Sequence, residues 1–235
     1  MRVLPHACAD LSRAPHARRM AVAARLAAAV AAIAVTAAAC GGTPADGVPA
    51  AAGASSPAAP SGTAVRLDRP LPKPGLTLTD DRGRPFDLVE QTAGRPTLVY
   101  FGYTHCPDVC PTTMADIANA VKKLPEADQE RLRVVFVTTD PARDTPQRLH
   151  RWLAAFDSRF IGLSGDFDAI QRAARGLGIL VEKPVKEADG GYTVNHGAQV
   201  LAFSPADDGA HTIYTSGTTS QQYEADLPKL VEGAR

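Results

Sequence analysis

Two cysteines and one histidine are the residues of this chain best suited to chemistry. Cys106 and Cys110 lie in Phe101-Gly-Tyr-Thr-His-Cys-Pro-Asp-Val-Cys-Pro111. Four positions apart, they can bring both sulfurs to one face of a helical turn or tight loop. Two soft thiolates at one point suit a soft metal such as Cu(I), or a reversible disulfide. Pro107 and Pro111 stiffen the stretch, and Pro111 suits the first position of a helix, which puts Cys110 at the helix N-terminus. Unpaired N–H groups and the positive end of the helix dipole favour a thiolate there. The bland alternative, two inert core cysteines, fits poorly with prolines bracketing the pair. Two sulfurs are only part of a metal site. His196, in Gly190-Gly-Tyr-Thr-Val-Asn-His-Gly197, offers a third ligand, although a loop histidine taken alone is more often simply solvated. His105, His150 and His211 compete with it, and spacing does not choose among them.

The elements that must position these residues follow from pattern. Thr97–Gly102 is a short apolar, β-branched and aromatic run, the signature of a buried strand, and Leu132–Thr138 is another. The cysteine stretch leaves the C-terminal end of the first strand and runs into a helix, where open α/β sheets place their sites. Thr112–Leu124 carries Met114, Ile117, Val121 and Leu124 at helical spacing. Pro146–Phe156 and Phe167–Leu177 read as helices preceded by cap candidates, Asp144 or Thr145 and Asp166. Leu76–Thr79 and Pro85–Leu88 flank a glycine turn, Asp80-Asp-Arg-Gly83, and predict a hairpin. Val200–Phe203 and His211–Tyr214 predict a late strand pair, and Gln221–Val231 a final helix. This order predicts an α/β domain with a mixed central sheet flanked by helices.

Not all 235 residues belong to that unit. Residues 1–40 read as a secretory leader: five arginines, then a 14-residue apolar run, Leu26–Ala39, ending at Cys40-Gly-Gly. The run is shorter than the roughly 20 residues a membrane span needs. Small residues before Cys40 and glycines after it predict lipidation of Cys40, although Ala37 stands where such signals usually carry Leu. Met20 offers an alternative start, and Arg18-Arg19 lacks the rest of a twin-arginine motif. Residues 41–64, rich in Ala, Gly, Ser and Pro, read as a flexible tether, and residues 65–235 as one domain. The leader holds five of the 25 Lys and Arg and one of the 25 Asp and Glu, so the remainder has 20 against 24. No basic stripe is present, which argues against nucleic acid. With Cys8 and Cys40 in the leader, only Cys106 and Cys110 remain, too few for a disulfide framework. An exported location oxidises such pairs, so a thiol reductant of the thioredoxin type is an expected partner.

Three stretches in order, Phe101–Pro111, Val137-Thr-Thr-Asp-Pro-Ala-Arg-Asp-Thr-Pro146 and Tyr192-Thr-Val-Asn-His196, resemble the Sco/SenC family. They span about 95 residues, and the wider pattern covers nearly the whole domain. The resemblance implies a thioredoxin-like fold, with the hairpin at the N-terminal side and the late strand pair as an insertion. It implies that Cys106, Cys110 and His196 bind copper for delivery to the cytochrome c oxidase subunit with a dinuclear copper site. It also implies Asp140 close by, with Asp144 the structural carboxylate. The family usually has Asp before the histidine and Ser or Thr after it; here they are Asn195 and Gly197, so a less firmly held His196 is expected. The competing reading is a thiol–disulfide oxidoreductase keeping the client's cysteines reduced, in which His196 is dispensable. A peroxidase is disfavoured, because no Thr-x-x-Cys with an activating arginine is found.

Overall fold

The computed structural model describes residues 62–186 and 192–233. The expected leader with Cys40, and the expected tether up to residue 61, lie outside them. Along the chain run β1 (Ala64–Pro72), β2 (Thr77–Asp80), β3 (Pro85–Asp87), α1 (Leu88–Gln91), β4 (Thr97–Gly102) and α2 (Val109–Val121). Then come α3 (Glu126–Arg131), β5 (Arg133–Thr138), α4 (Pro146–Ala154), β6 (Ile161–Ser164) and α5 (Phe167–Gly176). The last are β7 (Val185–Lys186), β8 (Tyr192–Thr193), β9 (Val200–Phe203), β10 (Gly209–Tyr214) and α6 (Ser220–Val231). Among the described residues no helix is long and apolar enough to cross a membrane.

Eight strands form one mixed sheet in the order β1-β10-β9-β4-β5-β6-β2-β3. β4, β5 and β6 are parallel, with β9 antiparallel against β4. Every residue of β4 is buried, so its side chains alternate between two apolar layers. Leu98 and Tyr100 pack with Met114, Ile117, Leu149, Leu153 and Leu227. Val99 and Phe101 pack on the other face with Val137, Leu163, Ile170 and Leu177. This is the expected α/β thioredoxin-like architecture, with the N-terminal hairpin as β2–β3 and the late strand pair as β9–β10.

Two features depart from the sequence reading. β1 extends the sheet by pairing with β10, where no strand was expected before Leu76. Its residues are mostly exposed and include Pro70 and Pro72, the composition of an edge strand rather than a buried one. The cysteine helix starts at Val109, ahead of Pro111, the residue read as its first position, so Cys110 is inside its first turn.

Candidate metal centre

The site forms at the C-terminal end of β4, where the chain leaves the sheet for α2. Gly102 ends the strand because nothing larger fits. A Cβ there would lie 2.9 Å from the Phe136 ring and 3.0 Å from Cys110 Sγ. The loop that follows is held from below by Asp144. One carboxylate oxygen accepts from the Thr104 amide at 2.9 Å and from Thr138 Oγ1 at 2.7 Å, and the other accepts from Thr104 Oγ1 at 2.6 Å. Asp144 is completely buried, and Arg148 Nε donates to Thr104 Oγ1 at 2.7 Å. His105 is exposed on this loop, its ring 3.6 Å from Asp144.

The structure brings Cys106, Cys110 and His196 together: one ligand atom from each lies within 4.8 Å of the others. His196 Nε2 is 3.7 Å from Cys110 Sγ. A metal about 2.3 Å from sulfur and about 2.0 Å from nitrogen, with trigonal angles, requires a separation of roughly 3.7 Å. The Cys110–His196 pair is therefore already at ligand spacing for a soft ion, with Cys106 close by. The imidazole arrives from across the fold on residues 192–197, which pair with the segment after α5. An isolated bridge joins Val181 to His196, Gly197 N–H donates to Leu180 O at 2.8 Å, and Glu182 N–H donates to Asn195 O at 3.0 Å. His150 and His211 face carboxylates elsewhere, Asp81 at 2.8 Å and Asp207 at 3.0 Å.

The two sulfurs have different surroundings. Cys110 is fully buried, and burial pushes its thiol up to about 12, outweighing the hydrogen bond donated by Tyr100 Oη at 3.4 Å. Expectation and structure diverge here. The first-turn N–H of Cys110 donates to Cys106 Sγ at 3.4 Å, so the helix terminus serves the other sulfur. Cys106 is partly exposed and is the more accessible of the two thiols. Both cysteines are free thiols. Burial holds the His196 imidazole below its ordinary range and thus neutral near neutral pH. Nδ1 lies 2.9 Å from Gly197 O, which fixes the proton on Nδ1 and leaves Nε2 open toward the sulfurs. The rings of Tyr103 and Tyr100 meet the imidazole edge-on at 5.5 and 6.4 Å.

The expectation that Asn195 and Gly197 loosen His196 is answered in part by a backbone carbonyl, which does the orienting. Asn195 itself is exposed, and its amide donates to Glu182 Oε2 at 3.0 Å. A Cβ on Gly197 would sit 2.3 Å from Gln199 Oε1. The Gln199 side chain thus occupies the space a serine or threonine would take, with that oxygen buried and unpartnered. Asp140 lies one shell out, holding Tyr192 and Arg143 rather than a ligand. Tyr100, Tyr103 and Gln199 were missed from sequence. Tyr100 stands in the apolar β4 run, which disguises a hydroxyl aimed at the Cys110 sulfur, and Tyr103 opens the loop that carries the cysteines.

Residues 71–232 match the SCO1/SenC family model. A protein of Stutzerimonas stutzeri is 39% identical over 139 residues, covering 59% of this chain and 67% of its own length. An Arabidopsis thaliana mitochondrial SCO1 homologue is 34% identical over 132 residues, 52% of this chain but 39% of that protein. Among solved structures, Bradyrhizobium japonicum ScoI with copper bound superposes with a TM-score of 0.58 at 30% identity, covering 68% of this chain and 99% of that one. The apo Sco1 protein from Thermus thermophilus superposes with a TM-score of 0.62 at 34% identity, covering 70% and 94%. Motifs, fold and site geometry agree with the family match over most of the domain: the chain belongs to the SCO1/SenC family.

Proposed function

We propose that this protein is an exported, membrane-anchored copper carrier that binds copper through Cys106, Cys110 and His196. It delivers the ion to the cytochrome c oxidase subunit with the dinuclear copper site. The observation that supports this most directly is the set of two sulfurs and one imidazole nitrogen within 4.8 Å. Two thiolates and a neutral imidazole around Cu(I) carry a net charge of −1 and leave room for an incoming ligand. Cys106, the accessible sulfur, meets the ion first, and Cys110 and His196 close behind it. A lipidated Cys40 and the tether keep the site near its membrane-embedded client.

Loading requires both thiols. In the oxidised protein a Cys106–Cys110 disulfide removes both sulfur ligands. A partner dithiol restores them, becoming a disulfide as this one is reduced to two thiols. The same chemistry defines the second reading, in which the protein reduces the client's cysteines and carries no metal. His196 separates the two. Copper-loaded full chain, mixed with the purified client domain and separated again, is expected to hand over its copper. His196→Ala is expected to lose most of that transfer while still reducing a disulfide in the client. Undiminished transfer from His196→Ala removes the imidazole from the carrier site, and reduction of the client with no copper passing from the wild type establishes the reductase instead.

Proton competition gives a second expectation. With the Cys110 thiol pushed up to about 12, its proton must leave when copper binds. The affinity then rises at least about tenfold per pH unit near neutrality, about 100-fold between roughly pH 6 and 8. His196, held below its ordinary range, adds no slope in the upper part of that window. Chelator competition at several pH values measures this, and a flat profile contradicts a buried thiol as ligand.

A further inference from the structure

The two halves of the metal centre come from segments far apart in sequence, and one short loop touches both. Asp140 and Asp144 stand four residues apart between β5 and α4, both fully buried. Asp144 grips the cysteine loop through Thr104. Asp140 grips the histidine arm: its Oδ1 accepts from the Tyr192 hydroxyl at 3.0 Å, and its Oδ2 accepts from Arg143 Nε. The Arg143 guanidinium also lies over the Tyr192 ring, 3.7 Å from its centroid. The two grips are joined. Thr138 Oγ1 accepts from the Asp140 amide at 3.0 Å and donates to Asp144, and the Asp144 amide donates to Asp140 O at 2.9 Å.

Tyr192 belongs to β8, which pairs only two residues with β7 in a small sheet separate from the main one. Four residues later comes His196. Beyond β8 the arm is held by the Val181–His196 bridge and two backbone hydrogen bonds, to Leu180 and from Glu182. An arm paired so sparsely opens locally at low cost unless something pins its start. The charge-assisted hydrogen bonds and stacking at Tyr192 supply that pin.

We propose that Tyr192, Asp140 and Arg143 form a latch that sets the distance between the His196 imidazole and the two sulfurs, with Tyr192 as a positioning residue for the third ligand. The metal-binding part rests on the three-ligand reading above; the latch itself is testable without metal. Tyr192→Phe removes one hydroxyl and leaves the ring. In the metal-free full chain, amide exchange at residues 193–197 is expected to speed up about tenfold. The amides of residues 106–114 are expected to keep their rates. Cu(I) affinity, read by chelator competition, is expected to fall about 10- to 100-fold, the usual range for a residue that orients a ligand. In a His196→Ala background the same substitution is expected to cost less than about twofold, because the group it acts through is gone. Arg143→Lys keeps the charge but loses the planar fork, and is expected to repeat the pattern. Equal losses with and without His196, or unchanged exchange in the arm, overturn the proposal. A wild type that binds no Cu(I), with arm exchange still accelerated in Tyr192→Phe, removes the three-ligand reading and keeps the latch.

Discussion

Cys110→Ser is expected to lower Cu(I) affinity by more than about a thousandfold, roughly 4 kcal/mol, and Cys106→Ser to do the same. A serine hydroxyl is hard and protonated where a thiolate is soft and charged, and the remaining sulfur and imidazole leave Cu(I) two-coordinate. The two variants should differ in other respects. Cys110 is buried against Gly102, Tyr100 and the Phe136 layer, so its replacement puts a hydroxyl in an apolar pocket and also costs stability. Cys106 is partly exposed, so its replacement is expected to leave the melting temperature nearly unchanged. Chelator competition and a thermal melt on both variants check this. Retained wild-type affinity in either one removes that cysteine from the ligand set.

The largest effect away from the ligands is expected at Asp144. Asp144→Ala strands Thr104 N–H, two threonine hydroxyls and the nearby Arg148 in the space beneath the cysteine loop. Breaking a buried, hydrogen-bonded charge costs about 3–5 kcal/mol. At about 2–4 °C per kcal/mol for a domain of this size, the melting temperature should fall about 10 °C. The helix cap Asp166, whose side chain accepts from Ala169 N–H at 2.8 Å, is the comparison. Asp166→Ala should cost about 1 kcal/mol. The Asp144 variant should also lose copper affinity, because Thr104 fixes the start of the loop bearing Cys106. Equal melting temperatures for the two variants would show that the network is not what holds the loop.

Much of this was legible because the relevant signals are local. β4 and β9 have the bounds read from their apolar runs, since strands buried on both faces carry no polar interruptions. Asp166 and Thr145 cap their helices as their types and places suggest. The cysteine helix began earlier than Pro111 implied, because Asp108 and Val109 already turn into it and leave Pro111 inside the first turn. That shift reverses which sulfur meets the helix N–H. Burial, which no motif reveals, then decides which thiol is hard to ionise. His196 could be chosen over three other histidines only by family resemblance, since a loop residue 86 positions from Cys110 has no periodicity to announce it. Arg143 and Tyr192 stand in the stretches that carry the resemblance, but nothing in them announced that the two meet at Asp140. Their contact is tertiary, and each alone reads as a surface residue.

The most direct test of the three-ligand account is copper-edge X-ray absorption of the Cu(I)-loaded full chain beside His196→Ala. Two sulfur ligands and one nitrogen are predicted for the former, and two sulfurs without that nitrogen for the latter. A wild-type spectrum with sulfur alone, unchanged by removing the imidazole, would contradict the account and leave only a dithiol.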